Sequence, residues 1–285
     1  MTGEPEERKD TYVIDPESAT EMTRLLYQDR LLTEELGGLF PENPDLSGIH
    51  DILDIACGPG GWALDVAFRY PEKQITGVDI SQTMVTYAQA QAKARGLSNT
   101  DFLVMDVLKP LQFDDNSFDL VNGRLLFGFM PAASWPKLIQ ECMRILRPGG
   151  LLRLTEGEIG ITNSPASEEA SNLFTRMMKR TGMSFSPDGR HLGLTPMLPR
   201  LLREAGFEQV QLKAYAVDYS AGTPNHESHY QNIMIGSKLV QPFLTKLGLI
   251  SQEKAEEVYQ QAMIEMMQDS FVGLWYYLTV SGRKP

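Results

Sequence analysis

The chain predicts an α/β fold: a seven-stranded, mostly parallel sheet covered on both faces, with an N-terminal helical cap and a helical insertion before the last strand. Three observations predict it. Between His50 and Glu156, short apolar runs alternate with helical patterns, the mark of a parallel sheet. A glycine-rich turn, Gly58-Pro59-Gly60-Gly61, separates the first apolar run from its helix. After Glu156 the rhythm changes, and residues 222–269 carry two helical patterns between two alternating ones, too long for a plain connection.

The elements follow in order. Residues 1–11 are charged and polar, a loose tail. Met22, Leu25, Leu26, Leu31, Leu32 and Leu36 keep helical spacing until Gly37-Gly38 and Pro41 stop them. The first strand lies near 51–56 with its helix near 61–70, ended by Pro71. Gln74 to Asp79 is the second strand, followed by a helix over 81–95 that Ser81 caps and Gly96 closes. Strands follow at 101–105 and 118–122, then a helix from Trp135 to Leu146 stopped by Arg147-Pro148-Gly149-Gly150, then a strand at 151–155. Helices over 167–181 and 195–205 flank a loop with Pro187, Gly189 and His191. Residues 209–219 and 271–281 alternate as strands around helices over 227–247 and 251–269. The expected organisation is a tail and cap over 1–45, a core over 46–221 and 270–285, and the insertion, which is a lid, a pocket wall or an oligomer contact, the last implying a homodimer.

Composition narrows the class of partner. The 285 residues hold 26 basic and 37 acidic side chains, a net charge of −11. That balance argues against a general electrostatic grip on nucleic acid or an anionic membrane. Two cysteines, Cys57 and Cys142, give no disulfide scaffold and suit a reducing cytoplasm. No run is long enough to span a bilayer, and no paired histidines at helical spacing, CxxC or acidic ligand cluster signals a metal.

The strand–turn–helix over Asp51–Ala67 suits an adenine-nucleotide-like ligand. Glycines admit close backbone approach, and the helix start presents free N–H groups. Gly58, Gly60 and Ala63 also fit a dinucleotide fingerprint, with Asp79 at the spacing of a ribose-binding acid. Three features tilt elsewhere: Asp54 inside the first strand, Asp106 beyond the third, and the Pro148-Gly149-Gly150 turn leading into a further strand.

Taken together, Asp54-Ile55-Ala56-Cys57-Gly58-Pro59-Gly60, Gly77-Val78-Asp79-Ile80-Ser81, Asp106-Val107, Asn116-Ser117-Phe118-Asp119-Leu120-Val121 and Leu146-Arg147-Pro148-Gly149-Gly150 resemble the motif series of class I S-adenosylmethionine-dependent methyltransferases. Ala56 replaces that family's first glycine. The resemblance covers residues 50–156. The cap, with Tyr12, Glu21, Arg24 and Gln28, looks like that of a bacterial small-molecule subgroup. The resemblance implies a Rossmann-like core and S-adenosyl-L-methionine as cofactor, with S-adenosyl-L-homocysteine as product. It implies a cofactor site of Tyr12, Gln28, Asp54, Ala56, Gly58, Gly60, Asp79, Ile80, Met84, Asp106, Val107 and Asn122. Asp79 would accept from the ribose hydroxyls, Ile80 and Met84 would sandwich the adenine, and Asp106 would accept from its amino group. Asn122 would lie where the methionine amino group lies.

Methyl transfer is an in-line displacement with a good, neutral leaving group, so the protein mainly aligns the acceptor and takes a proton where needed. The candidate bases are His191, His229 and Glu156. His191 reads equally as an exposed loop residue, Glu156 as a structural acid and His229 as a helix start. Arg124 would pair with Asp119, Glu156 or a substrate carboxylate. The family's relatives often carry a histidine in the following stretch, where this chain has Gly128 and Phe129. The expected activity is methyl transfer to a small, apolar or aromatic molecule, O-methylation leading and N- or C-methylation open. The alternatives are a nicotinamide-dependent oxidoreductase and a non-catalytic protein that keeps the cofactor or binds a partner through the insertion.

Overall fold

A computed structural model describes residues 17–285. The sheet runs through its centre. β1 (Asp51–Ile55), β2 (Gln74–Asp79), β3 (Thr100–Val104), β4 (Phe118–Arg124) and β5 (Leu146–Gly157) pair in parallel in the order β3-β2-β1-β4-β5. The chain then returns through β6 (Ile161–Thr162), β7 (Glu208–Asp218) and β8 (Gly273–Arg283). β8 lies antiparallel between β5 and β7. The sheet therefore has eight strands where the sequence predicts seven. The extra one is the two-residue β6, which continues the path of β5 along β8, pairing Ile161 with Leu274. β5 is also longer than expected, since Arg147–Gly150 stays strand-like across an irregularity in its pairing with β4.

The β1 run is apolar because both faces are covered: Ile52, Leu53 and Ile55 are fully buried. α2 (Gly61–Arg69) and α3 (Gln82–Ala94) cover one face, with Trp62, Leu64 and Ala88 packed near Ile52 and Phe102. α4 (Trp135–Ile145) and α6 (Leu198–Glu204) cover the other, where Trp135 and Ile139 join Leu53, Val121 and Leu152.

A third layer sits over the carboxyl ends of the parallel strands. α1 (Ala19–Leu36) begins at Ser18, whose hydroxyl accepts from Glu21 N, and ends at Gly37 in the left-handed conformation. α5 (Pro165–Arg180), α7 (His226–Lys246) and α8 (Gln252–Met266) complete it. α7 packs on α1 and α8, and α8 on α5. Among the described residues no helix is long and apolar enough to cross a membrane.

Candidate active site

Between this helical layer and the strand ends lies a cavity of about 1100 Å³. That is the position at which open α/β sheets bind ligands. Its size is at the upper end for a single small molecule, so it has room for two molecules side by side. One half is built from strand ends, the other from α5, α7 and α8.

The strand-end half begins with the turn after β1. Ala56, Gly58 and Gly60 all have left-handed backbone, at φ +52°, +54° and +81°. Cys57 N donates to Val78 O and Gly60 N to Cys57 O, folding the turn tightly against β2. Asp79 fixes it from the other side: its Oδ2 accepts from Gly58 N at 2.8 Å and its Oδ1 from Ser81 N at 2.9 Å. Each oxygen keeps a lone pair for another donor. Burial pushes the Asp79 carboxyl up, and the two amides oppose that.

Asp54 faces the same space from β1. It ends a buried relay. The Arg153 guanidinium binds Glu42 through Nε and Nη2, and its Nη1 donates to Asn122 Oδ1 at 2.7 Å. Asn122 Nδ2 then donates to Asp54 Oδ1, also at 2.7 Å. A guanidinium only donates, so the Asn122 carbonyl must face Arg153 and its NH2 must face Asp54. Burial pushes Asp54 up to about 7, with Arg124 and the Asn122 bond opposing it.

Of the residues expected at the cofactor site, Gln28, Asp54, Ala56, Gly58, Asp79, Ile80, Met84, Asp106 and Val107 line the cavity. Two expected members do not. Asn122 is fully buried behind Asp54 and acts through it. Gly60 is a packing glycine: a Cβ there would stand 2.8 Å from Ala88 Cβ and 2.9 Å from the Phe102 ring. A Cβ on Gly58 would meet only Leu25, at 3.8 Å. Tyr12 lies outside the described residues.

The three expected bases also lie elsewhere. His191 is exposed on the loop before α6 and does not line the cavity. Glu156 is fully buried and accepts from Leu126 N at 2.8 Å and Phe127 N at 3.2 Å, anchoring the 3-10 turn Leu126–Gly128. Burial pushes its carboxyl up to about 8. His229 is fully buried on α7, with its Nε2 2.7 Å from Glu35 Oε1 and its ring 4.7 Å from that of Tyr219. The pair ties α7 to α1.

The sequence reading missed two contributions from the helices. Asp29 of α1 lines the cavity and forms an ion pair with Arg124, in place of the Asp119 or Glu156 pairing expected for that arginine. Asp119 instead pairs with Arg147 at 2.8 Å. The Asp29 carboxylate sits against Gly61, the first residue of α2, and so occupies the N-terminus of that helix. Burial raises its pKa and Arg124 opposes that. The signal was available: Leu25, Gln28, Asp29 and Leu32 share one face of α1. The second is Asn232 of α7, 7% exposed, whose Oδ1 accepts from Arg24 Nη1 at 3.3 Å. Arg24 is in turn held bidentately by Glu21, at 2.6 and 2.7 Å.

Comparison with known proteins agrees with this geometry. Residues 52–150, the strand-end half, match the family described as "Methyltransferase domain". A probable methyltransferase of Aspergillus luteorubrus, ltbC, is 31% identical over 163 residues, covering 55% of this chain and 56% of that protein. The demethylmenaquinone methyltransferase of Geobacillus kaustophilus is 28% identical over 184 residues, covering 59% and 75%. The chain spans about half the length of some of the curated relatives it matches. Among solved structures, phosphoethanolamine N-methyltransferase 2 of Haemonchus contortus, in complex with phosphomonomethylethanolamine and S-adenosylhomocysteine, superposes with a TM-score of 0.56 at 18% identity, covering 93% of this chain and 57% of that one. The match over residues 52–150 is thus to a methyltransferase domain, and the fold is shared with a solved structure that holds S-adenosylhomocysteine.

Proposed function

We propose that the chain transfers a methyl group from S-adenosylmethionine to a small, uncharged apolar or aromatic molecule. The observation that carries the cofactor assignment is Asp29. A dinucleotide places its pyrophosphate at the helix N-terminus after β1. Here that N-terminus already holds a carboxylate, and Asp54 faces the adjoining space. The carboxylate seated there, neutralised by Arg124, leaves a pyrophosphate no place at that helix start, while Asp54 offers a partner to the ammonium that S-adenosylmethionine supplies.

The residues present fit that cofactor. Asp79 accepts from the ribose hydroxyls, with Gly58 and Ser81 N–H groups holding the carboxylate in place. Ile80, Met84 and Val107 form an apolar slot for the adenine, with Asp106 at its rim. Asp54 receives the ammonium, aligned by Asn122 and Arg153. The cofactor supplies an electrophilic methyl group and a neutral leaving group. The chain's own part is to hold the acceptor in line with that methyl and to exclude water, which α5, α7 and α8 do by covering the cavity.

The acceptor half supports the choice of acceptor. Its walls include Leu173, Phe174, Val240, Val258, Met263 and Trp275. A buried ionic acceptor would go uncompensated there. O-methylation of a phenol or enol is favoured because none of the expected bases lines this half, so an acceptor that ionises readily suits it best. The acid-rich balance and the two free cysteines are in keeping with a small-molecule enzyme of a reducing cytoplasm.

The test is incubation with methyl-labelled S-adenosylmethionine and a panel of phenols, quinols, amines and carboxylates. Label should pass to neutral aromatic hydroxyl compounds. Transfer to none of them would favour a protein that uses the fold without this chemistry. Asp79→Ala should weaken S-adenosylhomocysteine binding by about ten- to a hundredfold, the loss of a charge-assisted hydrogen bond or two.

A further inference from the structure

Two asparagines in this protein are held in the same way. Asn122 gives its carbonyl to Arg153 and points its NH2 at Asp54. Asn232 gives its carbonyl to Arg24, and its Nδ2 has no partner among the described residues. The orientation is forced, since Arg24 offers only donors and can bind only the amide oxygen. Arg24 cannot swing away to release it, because Glu21 grips the guanidinium through both carboxylate oxygens. Asn232 is more than nine-tenths buried and lines the cavity, and its Nδ2 keeps access to that space.

Its surroundings make this donor informative. Every described residue from 159 to 275 that lines the cavity is uncharged. Along α7 the lining face continues through Gly236, Ser237, Val240, Gln241 and Leu244, at helical spacing from Asn232. Gln241 already donates to Ala255 O. A fixed N–H donor at the edge of an apolar wall prefers an oxygen acceptor on an otherwise apolar body. An acceptor lacking that oxygen leaves the donor unpaired, and a site of this kind discriminates strongly against such a molecule.

Resting on the methyl-transfer reading above, we propose that Asn232 orients the methyl acceptor. Its Nδ2–H, fixed by the Glu21–Arg24 pair, donates to a neutral phenol or carbonyl oxygen on an aromatic ring system. Asn232 thereby selects oxygenated aromatics over hydrocarbons, and, with the Arg24 guanidinium beside it neutralised by Glu21, the uncharged wall disfavours phosphorylated ones.

The experiment is equilibrium dialysis of the whole chain, saturated with S-adenosylhomocysteine, against 1-naphthol, naphthalene and 1-naphthyl phosphate. The wild type should hold 1-naphthol about tenfold more tightly than naphthalene, the worth of one buried hydrogen bond, and 1-naphthyl phosphate far more weakly than either. Asn232→Leu removes the donor. Asn232→Asp also removes it while keeping a partner for Arg24, so one variant remains informative if the other fails to fold. Both should bring the ratio of naphthol to naphthalene affinity close to one, with naphthalene binding retained. Asn232→Gln, which keeps the amide, should restore part of the preference. A ratio unchanged in both donor-less variants, a wild type without the preference, or tight naphthyl phosphate binding would overturn the proposal. S-adenosylhomocysteine affinity, measured alongside on the same protein, separates this outcome from a failure of the cofactor reading.

Discussion

The two glycines of the turn after β1 should fail in different ways when each is replaced by alanine. Both have left-handed backbone, so either substitution costs about 1–2 kcal/mol in backbone strain, offset by about 0.4–1 kcal/mol of lost freedom in the unfolded chain. At Gly58 nothing further is lost from stability, because a Cβ would meet only Leu25 at 3.8 Å. At Gly60 the Cβ would be driven to 2.8 Å from Ala88 and 2.9 Å from Phe102, both buried. Overpacking of that kind adds about 1–3 kcal/mol. Gly60→Ala should therefore destabilise by roughly 2–4 kcal/mol and Gly58→Ala by about 1 kcal/mol. With a urea m-value near the upper end of about 1–3 kcal/mol/M for a chain of this size, the Gly60→Ala midpoint falls by about 1 M. Ligand binding should show the reverse order: Gly58→Ala, which puts a methyl group beside the cofactor, loses affinity for S-adenosylhomocysteine, while folded Gly60→Ala keeps most of it. Equal stability losses, or a larger binding loss at Gly60, would refute the division of labour.

Two further predictions concern buried acids. Asp54 sits at about 7 because burial disfavours its charge. A bound ammonium favours that charge, so binding should release a proton below pH 7. S-adenosylhomocysteine affinity should then rise with pH up to about 7 and level off, and Asp54→Asn should bind weakly without this rise. A wild-type affinity that is flat from pH 5.5 to 8 would contradict the assignment. Glu156, pushed up to about 8, keeps its proton in the folded protein over a range where the unfolded chain has lost it. It therefore makes stability fall as pH rises from about 4.5 to 8. Glu156→Gln should flatten that part of the curve in urea titrations at several pH values, and an unchanged slope would show that Glu156 is ionised when folded.

What was legible in the sequence follows what is local. The parallel strands and their helices were readable because apolar runs and glycine stops are encoded within a few residues of each other. So were Asp54, Asp79 and Asp106, since each is fixed by its place at a strand end. β6 was not, because two residues have no periodicity and Ile161 is a strand only by virtue of pairing with Leu274. Gly60 and Asn122 belong to the motif but face away from the cavity, which depends on Phe102 and Arg153 arriving from other strands. His229 reads as a helix start, and only the docking of α1 places Glu35 against it. Asp29 is legible only as a member of one face of α1, and Asn232 not at all: their roles arise from α1 lying across the cavity, a contact between segments some two hundred residues apart in the case of Arg24 and Asn232.

The central claim is that the cavity is built for a sulfonium cofactor and not for a dinucleotide. Isothermal titration of the whole chain with S-adenosylhomocysteine and with NADH tests it most directly. S-adenosylhomocysteine should bind saturably at one site and NADH should give no heat, because Asp29 occupies the place a pyrophosphate would need. One-site binding of NADH with none for S-adenosylhomocysteine would contradict it.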